Sequence, residues 1–269
     1  KNIYASGNNS NPSFLTNVNG TLYFAADDGV NGMEVWKSNG TEAGTVLVKD
    51  IYSGSAGSNP NSFVNFNGVV LFAADDGISG RELWGSNGTT NGTILVKDIY
   101  PGGFGSSPTA LTRVGGNILF AADDGEHGRE IWLSNGAASA TRLMSEIQHG
   151  HLGSDPTEIF EYGAKVLVAA THELFGSEVW IADAPADIPN LVASVTANGP
   201  IAFCTGKSVT LDANKGVGYT YQWKKAGVNI AGATQSNYTA TTAGYYSVVV
   251  KEAFGFSATC ETVIVTRVN

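Results

Sequence analysis

The feature that most constrains this chain is a period of 48 residues. The hexapeptide "FAADDG" occupies residues 24–29, 72–77 and 120–125, and "VAATHE" stands in the same frame at 168–173. Laid on itself at that interval, the chain matches without gaps from residue 1 to about residue 181. Glu34, Glu82, Glu130 and Glu178 form one filled column, and Trp36, Trp84, Trp132 and Trp180 form another. Ser10, Ser58, Ser106 and Ser154 form a third, and Gly32, Gly80, Gly128 and Gly176 a fourth. A chain that repeats one unit of 40–50 residues builds the same supersecondary unit each time and buries each copy against its neighbours.

Each period reads as four short strands. In the second copy they are "SFVNFN" (62–67), "VVLFAAD" (69–75), "ELWGSN" (82–87) and "TILVKDI" (93–99), rich in β-branched and aromatic residues. Asn67-Gly68 and Asn87-Gly88 are hairpin signals, because both residue types tolerate positive φ. The 34 glycines and the low charged fraction of 14% suit tight turns rather than helices. Strands that are apolar on both faces need cover on both sides, which stacked propeller blades supply. The expected fold is therefore all-β, with a β-propeller of four 48-residue blades over residues 1–182. The four tryptophans are expected in the core between blades. Lys1-Asn2-Ile3-Tyr4 aligns with Lys49-Asp50-Ile51-Tyr52, whereas the fourth copy has no clear last strand after Trp180. Lys1–Tyr4 is expected to supply that strand and close a four-bladed ring; the alternative is part of a larger propeller.

The segments "EVWKSNGTEAGTVLVKDI" and "ELWGSNGTTNGTILVKDI" resemble the ELWxxDGT repeat of secreted Bacteroidetes proteins, with Asn in place of the motif's Asp. The resemblance implies a propeller exported by the type IX route, with a sorting domain beyond Asn269, and it implies no particular activity. After a linker at 183–190 the period ends. "SVTLDA", "YTYQWKKAG" and "AGYYSVVVKEAFG" resemble a bacterial immunoglobulin-like module over 191–269, with Trp223 as the core aromatic and Tyr246 as the corner tyrosine. The family's usual cysteine positions are Ala213 and Val248 here. In an exported protein the two cysteines present, Cys204 and Cys260, are expected to pair.

Composition narrows the partners. The formal net charge of −9 disfavours nucleic acid and anionic membrane surfaces, which repel an acidic protein. No apolar run approaches the roughly 18 residues that span a bilayer. "KNIYASGNNS" lacks the apolar core of a signal peptide, so the chain reads as processed or as a piece of something longer.

Candidate sites follow from blade topology, which sets the DDG loops and the connections between blades on one rim. That rim collects Asp27, Asp28, Asp75, Asp76, Asp123 and Asp124, whose carboxylates suit a hard cation. Calcium is the candidate ion, with the fourth copy (Thr171-His172) expected not to bind; no cofactor is required. The competing reading is an Asx turn closed on its own backbone. Glu34, Glu82, Glu130 and Glu178 persist where the paired acids are lost, so they are expected to accept loop N–H groups. His127, His149, His151 and His172 fall on the same rim and are candidate transition-metal ligands by residue type. A carboxylate pair can do acid–base work. One stamped identically into three copies, with no nucleophile elbow, phosphate loop or Cys-x-x-Cys, points away from catalysis. The reading is a non-catalytic surface or adhesive protein whose partners are proteins or glycans outside the cell. A glycan-binding propeller is the alternative, and a polysaccharide hydrolase ranks below both.

Overall fold

A computed structural model describes residues 1–186, 193–204, 206–216, 219–251 and 257–268. Among them there is no α-helix and one short 3-10 turn at Ala138–Ala140. The chain divides into two compact units, Lys1–Ile188 and Pro189–Asn269. Of the expected linker, residues 187–190 lie outside the described residues.

The first unit is a series of small antiparallel meanders, each strand beside its sequence neighbour. The first sheet holds β1 (Ser13–Val18), β2 (Thr21–Asp27), β3 (Met33–Ser38) and β4 (Val46–Lys49). The second holds β5 (Asn61–Phe66), β6 (Val69–Asp75), β7 (Arg81–Ser86) and β8 (Thr93–Lys97). β9 (Thr109–Val114), β10 (Asn117–Asp123), β11 (Arg129–Ser134) and β12 (Arg142–Ser145) make the third. The fourth has three strands, β13 (Glu158–Tyr162), β14 (Lys165–His172) and β15 (Gly176–Asp183).

Local chemistry explains the turns. Asn67 and Gly68 take φ of 50° and 90°, the double positive φ that matches strand twist in a two-residue hairpin. The longer 87–92 turn is tied at its base by Ser86 Oγ and Thr93 Oγ1, 2.7 Å apart, and Asn87 Oδ1 accepts from Thr89 N–H at 3.1 Å.

Packing then runs from sheet to sheet. Val18, Tyr23, Val35 and Val48 of the first sheet share one cluster with Val70, Phe72, Ala74 and Trp84 of the second. Val114, Leu119 and Ile131 of the third meet Val166, Val168 and Ala170 of the fourth. The first strands β1, β5, β9 and β13 neighbour one another in that order. Phe72 and Phe120 are fully buried, and each such ring stabilises the stack by roughly 1.5–3 kcal/mol. Lys49 and Lys97 reach across and set their ammonium groups over the rings of Trp84 and Trp132.

Ring closure is not made among the described residues. Lys1–Tyr4 forms no strand, and the fourth sheet has no strand beyond β15 among those residues. The face of that sheet away from the third is open. Tyr162 and Val179 are 69% and 66% exposed, whereas Val114 and Ile131, one period earlier, are 1% and 3%. Lys1–Tyr4 is engaged elsewhere. Ile3 packs on Phe24, Ala26 and Trp36 of the first sheet, and Tyr4 lies against Gly29, as Tyr52 lies against Gly77.

The second unit comprises β16 (Val195–Asn198), β17 (Ala202–Phe203), β18 (Val209–Ala213), β19 (Thr220–Lys225), β20 (Val228–Asn229), β21 (Asn237–Ala240), β22 (Gly244–Lys251), β23 (Ser257–Thr259) and β24 (Val263–Arg267). One sheet runs β16-β18-β21; the other runs β17-β24-β22-β19-β20, with β23 also on β22. A single core takes Leu211 from one sheet and Trp223, Tyr246 and Val248 from the other. Both large aromatics satisfy their polar ends: Trp223 Nε1 donates to the Gln235 carbonyl at 3.0 Å, and the Tyr246 hydroxyl donates to the Thr242 carbonyl at 2.9 Å.

The expected disulfide is absent: Cys204 is exposed and free, and Cys260 is buried and free. Strand register gives the reason. Phe203 pairs with Arg267, which sets Cys204 past the end of β24, while Cys260 N–H bonds the Val248 carbonyl in the middle of β22. With Tyr246 opposite Val263, the two cysteines stand several strand residues apart. An offset of about seven residues at about 3.3 Å each is on the order of 20–25 Å, far beyond the reach of a bridge. Cys260 Sγ instead accepts the Val248 N–H at 3.2 Å, and burial raises its pKa against that hydrogen bond.

Candidate functional site

The loops following β2, β6 and β10 meet the connections between sheets. Asp27, Asp75 and Asp123 donate their N–H to the carbonyls of Ser10, Ser58 and Ser106. Close approach requires glycine here: a Cβ on Gly80, at φ +70°, would sit 2.6 Å from the Gly105 nitrogen.

Within each DDG loop the carboxylates turn on their own backbone. Asp75 accepts the Gly77 N–H at 2.7 Å, and one oxygen of Asp76 accepts Ile78 and Ser79 N–H at 2.8 and 2.7 Å. Asp28 receives Val30 and Asn31 N–H and the Asn31 side chain. Asp124 receives Glu126 and His127 N–H. Burial pushes the Asp28 and Asp124 carboxyls up, but these hydrogen bonds outweigh it and hold both below the ordinary range. The geometry is that of paired Asx turns.

The glutamate column does different work in different copies. Glu82 is fully buried and accepts four donors: the N–H groups of Ile99 (3.1 Å), Tyr100 (3.1 Å) and Ser106 (2.8 Å), and Ser106 Oγ (2.5 Å). Glu34 does the same for Tyr52 and Ser58, and Glu130 for Ile147, Gln148 and Ser154. Burial raises the pKa of Glu34 and Glu82, and the hydrogen bonds oppose it. Each of these glutamates clasps the connection to the next sheet. Glu178 is exposed and clasps nothing among the described residues, because the residue 24 positions on is Ala202 rather than serine.

Trp36, Trp84 and Trp132 are 5–6% exposed, with their indole N–H groups buried and unpartnered. Trp180 is half-buried, and its Nε1 donates to the Ala170 carbonyl at 3.2 Å. Of the histidines, the structure brings two together. His127 Nδ1 is 2.7 Å from Asp124 Oδ2, its Nε2 is 3.4 Å from Glu146, and His149 Nδ1 is 3.0 Å from the other Glu146 oxygen. The hydrogen bond to Asp124 is the main cause raising the His127 pKa, burial opposes it, and the charges of Asp124 and Glu146 add to it. His172 is placed apart, its ring tilted against Phe175 and Trp180, with Nδ1 accepting the Leu174 N–H. Among the described residues no three His, Cys, Asp or Glu side chains converge to hold a metal ion.

A column that the sequence reading passed over is Met33, Arg81, Arg129 and Ser177, the start of each third strand. Both arginines set a half-buried guanidinium beside the preceding connection. The signal was visible as arginine at two of the four positions.

No family model matches the chain, and no curated protein matches it. Among solved structures it is similar to puromycin hydrolase at 13% identity, over 64% of this chain and 26% of that one, with a TM-score of 0.46. It is also similar to a prolyl endopeptidase at 12% identity, over 95% of this chain and 50% of that one, with a TM-score of 0.32. The chain thus spans about a quarter to a half of those proteins, and likeness at this level says nothing of activity.

Proposed function

We propose that this chain is a non-catalytic binding or structural protein of the cell exterior, a β-propeller-type head with an immunoglobulin-like module as spacer. One observation carries the reading. The polar groups repeated around the rim are engaged in holding their own loops, in the same way copy after copy. Repetition of that kind builds a scaffold. The sheet-on-sheet packing of the first unit and the Tyr246–Thr242 corner of the second support the two fold assignments. Export rests on the ELWxxDGT-like repeat. No helix among the described residues is long and apolar enough to cross a membrane.

Limited proteolysis of intact producing cells tests the proposal. The chain is expected to be shaved from unbroken cells while a cytosolic marker survives. Protection of the chain until lysis would sink the assignment.

A second reading, glycan capture, draws on the His172, Phe175 and Trp180 cluster, in which Phe175 is 63% exposed beside Leu174 at 76%. Aromatic faces of this kind stack on sugar rings. Saturable binding on a glycan array that Phe175→Ala removes would favour it.

A further inference from the structure

The column of Arg81 and Arg129 holds no arginine in the fourth sheet, where Ser177 stands. In the second sheet, Arg81 Nη1 donates to the carbonyls of Asn59 at 2.8 Å and Ala73 at 3.5 Å. In the third, Arg129 donates to the carbonyls of Ser107 at 2.7 Å and Ala121 at 3.2 Å, and to Thr109 Oγ1. One carbonyl comes from the connection and one from the second strand, so a flat guanidinium lies against both.

The fourth sheet repeats the acceptors and omits the arginine. Asp155 holds φ 46°, as Asn59 and Ser107 hold 47° and 49°, so its backbone takes the same left-handed turn. Thr157 stands in the column of Thr109, and Ala169 in the column of Ala73 and Ala121. The Thr157 N–H donates to the Ala169 carbonyl at 3.0 Å, although the register differs by one residue, Ala169 standing opposite Glu158 where Ala121 stands opposite Thr109. The Thr157 hydroxyl is a second, long donor to that carbonyl at 3.4 Å, whereas in the third sheet the second donor to Ala121 is Arg129. Where the guanidinium would lie, Ser177 Oγ turns away to Thr171 Oγ1 at 2.8 Å. The result is a solvent-open cavity of about 260 Å³ lined by Asp155, Thr157, Ala169, Ser177 and Glu178.

Charge points the same way. The lining includes two carboxylates and no cation. The Asp155 carboxylate already lies in the field of Arg129. Glu178, freed from the clasp its counterparts make, has no partner among the described residues. A carboxylate beside convergent carbonyls fits a planar fork of N–H donors, whereas an ammonium is a point charge that cannot reach all of them at once.

We propose that this cavity binds an external guanidinium group, the arginine side chain of a partner protein, in the place that Arg81 and Arg129 fill from within. The inference rests on the sheet geometry and stands whether or not the chain works at a cell surface.

The test is titration of the whole chain, followed by the amide NMR signals of Thr157, Ala169 and Ser177. The probes are Gly-Arg-Gly, Gly-Lys-Gly and methylguanidinium. Gly-Arg-Gly and methylguanidinium should both shift these signals, with arginine about 5-fold or more tighter than lysine. Ser177→Arg, which supplies the missing side chain internally, should weaken peptide binding 10-fold or more and raise the melting temperature. Glu178→Gln leaves the backbone acceptors in place and should weaken Gly-Arg-Gly several-fold, which keeps the test decisive if Ser177→Arg fails to fold. Equal affinity for arginine and lysine, or unchanged affinity in Glu178→Gln, would overturn the proposal. Binding of methylguanidinium without binding of Gly-Arg-Gly would overturn the assignment to a protein's arginine.

Discussion

Replacing Glu82 and Glu178 by alanine, one at a time, should have very different consequences. Glu82 accepts Ile99, Tyr100 and Ser106 N–H and Ser106 Oγ in full burial. Hydrogen bonds to a charged acceptor contribute about 1.5–3 kcal/mol each, and buried donors left unpaired cost about 1–3 kcal/mol each. Two effects offset the loss. The variant no longer buries a carboxylate, whose desolvation raises the Glu82 pKa, and water can enter to reach some donors. The net expectation for Glu82→Ala is a loss of about 3 kcal/mol. Glu178→Ala removes an exposed side chain without partners among the described residues and should change stability by no more than about 0.5 kcal/mol. Urea denaturation, read by tryptophan fluorescence of the first unit, measures both. Equal losses in the two variants would refute the reasoning, because the cost would then lie with the residue type and not with the clasped connection.

Trp84→Ala should destabilise the first unit by about 3–5 kcal/mol, since the ring lies between two sheets under Lys49; a loss under about 1 kcal/mol in the same denaturation would place it at a surface. Under native conditions a thiol reagent should modify Cys204 quickly and Cys260 only on unfolding, and intact mass would show one adduct and then two. The third DDG loop should respond to pH through His127. Its folded pKa is raised, so its share of stability is full below the ordinary histidine value of about 6.5 and is lost as pH rises through the folded value. Asp124 is lowered, so its share is lost only as pH falls through its own folded value. The protection of the Glu126 and His127 amides, taken relative to their intrinsic base-catalysed exchange, should therefore fall as pH rises through the folded His127 value in the parent and lose that extra dependence in His127→Asn.

Much of this was legible in the sequence, and the reason is repetition. The strand boundaries expected for the second copy fall within two residues of β5 to β8, because Asn67-Gly68 fixes one turn and Phe72 and Trp84 fix facing positions. The Asx chemistry of the DDG loops follows from residue type. The fate of the fourth copy was not legible from its own letters. Glu178 and Trp180 match their columns, but the partners that bury Glu34, Glu82 and Glu130 lie 24 residues downstream, in the Ser58, Ser106 and Ser154 column. That column ends one copy early. The Cys204–Cys260 pairing failed because counting cysteines says nothing of strand register. The cavity at Ser177 needed coordinates, since only they show what Arg81 and Arg129 hold.

Three repeats are completed by the connection that follows them, whereas among the described residues the fourth is not. Hydrogen–deuterium exchange of the native chain tests it most directly, by comparing 81–86 with 176–183. β7 is paired on both edges by β6 and β8, whereas β15 pairs only with β14 among the described residues. Since alternate amides of a strand point to opposite edges, about half of those in 176–183 should exchange promptly, while 81–86 stays protected to near the global unfolding limit. Equal, high protection of both segments would contradict the claim, because it would mean that the fourth sheet is closed like the others.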